Sequence, residues 1–304
     1  MSSIREIRRH IRSVSNISKV TRAMQMVAAS KMRRAQEQVL STRPYSQKAW
    51  ELLTHLSCLG TRTEGEEHPL LHARPVRAVG LVVITGDKGL CGGYNHSVLR
   101  LATEYLQKQR TPVKVITVGR KGRDFLLRTK VDLAAEFTGI SALPSFLDVV
   151  PIARTVLDDY LNGVYDEVRL VYTDFVNTLS QKPVIRTLLP ITVACTIDEQ
   201  VAGDYARDEG RATIPEYIYE PDAQTVLAEI LPRFTELQIY QAILESIASE
   251  HSARMVAMRN ATENANELVG SLTLSYNRAR QSAITKEILD IVGGAEALTQ
   301  STRA

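Results

Sequence analysis

Between Arg233 and Val292 the chain contains no proline and a single glycine, Gly270, so nothing interrupts a helix until the pair Gly293-Gly294. Ala, Leu, Glu, Arg, Met and Gln recur through this stretch, and their summed propensity favours helix from about Pro232 onward. At 1.5 Å per residue, residues 232–296 span ~100 Å, far beyond the three or four turns of an ordinary globular helix. A helix of that length cannot bury itself in one compact domain. His251, Arg254, Arg259, Glu263 and Glu267 exclude a membrane span, so the stretch reads as half of a coiled coil that needs a partner.

The other end of the chain supplies one. Ile4, Ile7, Ile11 and Val14 step by three and four, and Ile17, Val20, Met24, Val27, Ala28, Met32, Ala35 and Val39 continue at heptad spacing. The step from Val14 to Ile17 is three where the heptad asks for four, which predicts a local change of supercoil. No Gly or Pro precedes Pro44, and the pattern resumes through Trp50, Leu53 and Leu56 to Gly60, predicting a first helix of about 55 residues. The C-terminal seam reads through Leu237, Tyr240, Leu244 and Ile247, then Ala261, Ala265, Leu268, Leu272, Ser275 and Ala279. Its small residues let two helices approach closely while burying little area per turn.

Between the helices the periodicity changes. Residues 60–75 are polar and bear Gly and Pro, as a loop does. Short β-branched runs at 76–85, 113–118, 167–173 and 184–193 alternate with helical stretches at 96–109, 120–128 and 144–161, and Pro190 demotes the last run toward a sheet edge. Alternating strands and helices imply an open α/β sheet. The fold class is therefore α/β: a long antiparallel coiled coil of the N- and C-terminal helices with an inserted Rossmann-like open α/β domain. The expected boundaries are 1–60 for the first helix, 61–220 for the insert and 221–304 for the second helix, the two helices forming one unit.

Chemical signals are weak. GDKGLCGGYN follows a strand, where glycines let amides approach a phosphate, but its spacing is neither G-x-G-x-x-G nor a loop ending in Lys-Ser/Thr. Of six histidines only His68 and His72 have ligand-like spacing, and Pro69 lies between them. Cys91 and His96 lack a third group to complete a nucleophilic set. Three cysteines, Cys58, Cys91 and Cys195, give no disulfide framework and fit a reducing compartment. No catalytic residue, cofactor or metal is expected. Residues 1–34 hold nine Lys or Arg against the single acid Glu6. Such an end has three readings: a transit peptide, a nucleic-acid-binding arm, or a helix facing acidic protein surfaces. Its first 44 residues lack aromatics and any zinc or helix-turn-helix pattern, which disfavours the nucleic-acid reading without removing it.

Five segments then carry a family likeness: EIRRHIRSVSNISKVTRAMQMVAASKMRRAQ, TGDKGLCGGYN, QKPVIRTLLP, YIYEPD, and ASEHSARMVAMRNATENA followed by YNRARQSAITKEILDIVGGA. In order and position they resemble the γ subunit of F-type ATP synthase over nearly the whole chain. The resemblance implies a non-catalytic rotor: an antiparallel shaft inside a ring of three α and three β subunits, with the α/β domain meeting the ε subunit and the membrane c-ring. Bacterial members lie on the cytoplasmic face of the cell membrane, peripheral to it through the c-ring. The motif begins almost at Met1, which assigns the basic end to the shaft rather than to a transit peptide, and the inserted cysteine pair of redox-regulated chloroplast members is not evident.

The same resemblance implies site residues. Ile284, Ile288, Ile291 and Val292 match the apolar tip seated in the ring's sleeve, a non-directional bearing. Arg280 and Gln281, with Thr285 and Glu287, match a polar catch on a β-subunit loop, where directional bonds give preferred stops. Met24, Lys19 and Arg22 match the region facing an acidic loop of β, near which the family also places the turn with Lys88 and Cys91. Tyr217 and Glu220 match contacts to the c-ring and ε.

Overall fold

The computed structural model describes residues 4–60, 68–178, 180–192, 219–220 and 222–301. Its elements in chain order are α1 (Ile4–Gly60), β1 (Val79–Ile84), α2 (Tyr94–Lys108), β2 (Val113–Val118), α3 (Arg120–Arg128), β3 (Leu133–Phe137), α4 (Phe146–Leu161), β4 (Glu167–Phe175), β5 (Gln181–Leu189) and α5 (Ala223–Ser301). Two compact units emerge, one of residues 1–27 with 255–304 and one of residues 28–254, and α1 and α5 contribute to both.

In the larger unit the strands run in the order β3-β2-β1-β4-β5. The first four are parallel, and β5 pairs antiparallel with β4 at the edge. The central strand β1, VGLVVI, is buried along its whole length, as a strand covered on both faces must be. One face packs against α4, the Ala28–Gly60 part of α1 and the first turns of α5, through Val39, Leu53, Ile152, Val156, Leu231, Phe234 and Leu244. The other packs against α2 and α3 through Val98, Ala102 and Leu126. This is the open, doubly covered α/β sheet expected from the alternating pattern. The strand at 133–137 was not among the expected ones. LAAEF is short, holds two alanines and lies at the far edge with no fully buried residue, so its hydrophobic signal is faint. At the other edge β5 ends at Leu189, ahead of Pro190, which has no N–H to continue a ladder.

Helix ends also differ from expectation. Helix α5 begins at Ala223, ahead of Pro232, because Asp222 caps it: its carboxylate accepts the Thr225 amide at 2.8 Å and the Thr225 hydroxyl at 2.7 Å. These bonds hold the Asp222 carboxyl below its usual range. Pro232 deprives the exposed Ala228 of a hydrogen bond, a loss that water makes good. Nor does Gly293-Gly294 end the helix, which continues to Ser301.

The smaller unit is the antiparallel pair of helix ends. Thr21 Oγ1 lies 2.7 Å from Thr262 Oγ1, and Ser18 Oγ donates to Asn266 Oδ1 at 2.7 Å, so residues advancing on α1 meet residues receding on α5. The inward face of α1 is Ile4, Ile7, Ile11, Val14, Ser18, Thr21 and Gln25, an unbroken three-four alternation. The expected discontinuity after Val14 is therefore absent. Ile17 and Val20 point outward at 52 % and 57 % exposure, and polar residues hold the seam. On α5 the seam is Met258, Thr262, Ala265, Val269, Leu272, Tyr276 and Ala279, whereas Leu268 and Ser275 are exposed. Counted from the Thr21–Thr262 pair, Ile4 stands level with Ala279.

Candidate partner-binding surfaces

The stretch GDKGLCGGYN leaves the C-terminal end of β1 and turns into α2. Three side chains fasten it. Asn95 accepts the Gly86 amide through Oδ1 at 2.9 Å, while its Nδ2 donates to Cys91 Sγ at 3.2 Å and to the Lys88 carbonyl at 3.4 Å. Asp87 accepts the amide of Arg120, the first residue of α3, at 2.8 Å and that of Gly139 at 2.9 Å. An anion at a helix N-terminus is favourable, and here the chain's own carboxylate occupies that place. The loop resembles a phosphate cradle in composition, yet amides of the crevice are committed to Asn95 and Asp87. From α5, Arg254 Nε and Nη2 donate to the Gly89 carbonyl at 3.4 and 3.3 Å.

Beneath the loop lies a buried charged cluster. Arg254 Nη2 also donates to Glu250 Oε1, and both side chains are nearly enclosed. Glu250 explains Gly86: a Cβ there would stand 2.8 Å from the Glu250 carboxyl carbon. His251 is buried, with Nδ1 3.1 Å from Arg254 Nη1. Burial first, then the charges of Arg254, Lys31 and Lys88, lower its pKa to about 4. Burial pushes the Cys91 thiol up, with the Glu250 carboxylate adding to the effect. Cys91 is 2 % exposed and braces the loop from inside, while Lys88 and Leu90 face outward. Sequence reading named Lys88 and Cys91 and missed Leu90, because a lone leucine in a glycine-rich turn carries no periodic signal.

In the coiled-coil unit Lys19 and Arg22 are exposed and Met24 is half-buried. Ile17, Val20 and Val27 lie on the same outward stripe as Met24, a surface that the seam assignment had hidden. From Arg280 to Gly294 every residue of α5 is exposed. Arg280, Gln281, Thr285 and Glu287 therefore present polar groups, and Ile284, Ile288, Ile291 and Val292 present apolar ones at 47–67 % exposure. Leu289, also exposed, enlarges that apolar end. Glu220 is exposed, whereas Tyr217 lies outside the described residues, as does Cys195. His68 Nδ1 accepts the Leu70 amide at 3.3 Å, which uses one of its two ring nitrogens within its own turn.

A sequence profile described as ATP synthase matches residues 3–298. A protein of Dehalococcoides mccartyi named ATP synthase gamma chain is 50 % identical over 298 residues, covering 98 % of this chain and all of its own. The ATP synthase gamma chain of Roseiflexus castenholzii is 48 % identical, covering 99 % of this chain and all of its own. Among solved structures, a chain of the central stalk and c-ring of the Tetrahymena thermophila mitochondrial ATP synthase matches with a TM-score of 0.60 at 28 % identity, over 80 % of this chain and 99 % of that one. A chain from the Euglena gracilis mitochondrial ATP synthase shares the fold, with a TM-score of 0.66 at 20 % identity over 99 % and 96 %. Nothing among these relatives supports a nucleic-acid-binding reading.

Proposed function

The chain belongs to the γ-chain family of ATP synthase, and we propose from that membership how its surfaces divide the work of a rotor. It is a central-stalk subunit that carries out no chemistry itself and transmits torque between the membrane c-ring and the catalytic ring of α and β subunits. Its other partner is the ε subunit. The observation that carries this conclusion is identity of about half the residues over essentially the full length of both chains.

The exposed end of α5 enters the catalytic ring. There Ile284, Ile288, Ile291 and Val292 form a bearing, because apolar contacts are non-directional and resist turning little. Arg280, Gln281, Thr285 and Glu287 catch a β-subunit loop through directional hydrogen bonds that define stops. Lys19, Arg22 and Met24 on α1, and Lys88 on the β1–α2 loop, face acidic segments of β, with Cys91 holding that loop's shape from behind. Tyr217 and Glu220 meet the c-ring and ε. The division 1–60, 61–220 and 221–304 follows these roles, the two helices acting together and the insert serving the membrane side. No helix among the described residues is long and apolar enough to cross a membrane. The subunit is a peripheral component whose place is the cytoplasmic face of the bacterial cell membrane, a reading supported by its bacterial relatives.

The test is copurification and activity. The tagged chain should bring down α, β and ε subunits, show no ATPase alone, and bind nucleic acid only weakly, with affinity falling steeply as salt rises. Robust ATPase by the isolated chain would sink the rotor reading.

A further inference from the structure

Leu90 is the one large apolar residue that the β1–α2 loop exposes, at 64 %, and it does so with φ +60°. A left-handed backbone strains any residue with a Cβ and is ordinarily left to glycine. Two residues later the same loop meets the same demand with glycine, at Gly92, φ +57°. At position 90 it keeps a leucine. The backbone around Leu90 is clamped: Asn95 holds the Lys88 carbonyl, Arg254 holds the Gly89 carbonyl, and the Cys91 side chain is buried. Strain of this kind persists only where the surroundings over-determine it, and it collects at sites that bind.

We propose that Leu90 is an anchor residue for a neighbouring subunit of the catalytic ring, with Arg254 and Asn95 as the positioning residues that present it. The partner surface has an apolar recess edged with carboxylates. The leucine side chain fills the recess, and Lys88, exposed on the same loop, pairs with the edge; Lys31 adds positive charge, since both amines act on His251. An anchor held in one conformation before contact loses little freedom on docking, so it grips firmly at each passage. Burial inside this chain gives the leucine no reason to be there. The proposal rests on the reading above that this loop faces the ring.

The experiment compares Leu90→Gly, Leu90→Asn, Leu90→Met and Lys88→Glu in the reconstituted complex, reading ion pumping per ATP hydrolysed, together with the thermal midpoint of each full-length subunit. Glycine and asparagine adopt left-handed φ readily, so those two variants should melt at or above the wild-type temperature. Pumping per ATP should nonetheless fall about fivefold, equivalent to ~1 kcal/mol at about 1.4 kcal/mol per tenfold, and Leu90→Met should retain it. If Lys88→Glu impairs coupling while Leu90→Gly and Leu90→Asn do not, the anchor is wrong and the loop reading stands. If all four variants couple normally, the loop does not face the ring and the anchor falls with it. If Leu90→Gly and Leu90→Asn melt several degrees lower, the leucine serves this chain's own fold, and the proposal is overturned.

Discussion

His251 Nδ1 lies 3.1 Å from a guanidinium nitrogen of Arg254, and arginine has only donors, so Nδ1 carries the lone pair and the proton sits on Nε2. Burial first, and then the guanidinium at which a second proton would have to point, with Lys31 and Lys88 adding to it, lower the folded pKa from 6.5 to about 4. The unfolded chain takes up this proton below pH 6.5 and the folded chain only near 4. The contribution to stability is therefore complete above pH 6.5 and disappears as the pH falls toward 4; it amounts to up to ~3 kcal/mol. Urea unfolding of the full chain across this window should show the slope, and His251→Gln should flatten it; an unchanged slope in the variant would remove His251 as the cause. Gly119 sets a different limit. With φ +105° and a Cβ position 2.1 Å from the Thr85 carbonyl oxygen, it admits no side chain. Gly119→Ala should cost ~3 kcal/mol or more in the same unfolding assay, and a loss under ~1 kcal/mol would refute the packing argument. Neither residue stood out in the sequence. Arg254 meets His251 as soon as their helix forms, whereas Thr85, just past the end of β1, reaches Gly119 only through the tertiary fold.

At the scale of elements, the coiled-coil seam shows what a hydrophobic pattern can and cannot tell. Ile17 and Val20 are apolar and Ser18 and Thr21 polar, so a reader following apolar residues steps off the true seam after Val14. Backbone geometry keeps the helix on its heptad, and the opposing Thr262 and Asn266 give the polar pair partners. Each hydroxyl has a single proton, so one threonine donates to the other and only the acceptor of that bond is left to donate one turn back, Thr21 to the Ser18 carbonyl or Thr262 to the Met258 carbonyl. Polar seam positions fix register at a cost in stability. Thr21→Val combined with Thr262→Val should therefore stabilise the chain by ~1 kcal/mol, since replacing both partners leaves no orphaned group. A thermal midpoint that drops by several degrees would show that the hydroxyl pair contributes more than a packed apolar layer. Edge strands illustrate the converse. β3 was illegible because an edge of alternating half-buried residues carries little apolar signal, whereas β1 was plain because both of its faces are covered.

For the whole molecule, the end of α5 has no described residue of α1 to lie against. Ile4 is level with Ala279, and from Arg280 to Gly294 the helix is exposed. A free helix would gain nothing from Ile284, Ile288 and Ile291 on one side, which supports the bearing proposed for them in the assembled enzyme. Arg280→Ala with Gln281→Ala should lower turnover of the reconstituted complex by about tenfold, the loss of charge-assisted hydrogen bonds, and leave the free subunit's helix content unchanged. Unchanged turnover would remove both residues from the catch. By itself the sequence determined two long terminal helices, their antiparallel return, a largely parallel sheet between them and the family, because propensity, period and motif order are written locally along the chain. Tertiary structure decided which stripe of α1 faces α5, that a fifth strand, β3, forms the sheet's far edge, and that Cys91 turns inward while Leu90 turns out. Those choices depend on what stands opposite each residue, and a neighbour distant along the chain leaves no mark on local pattern.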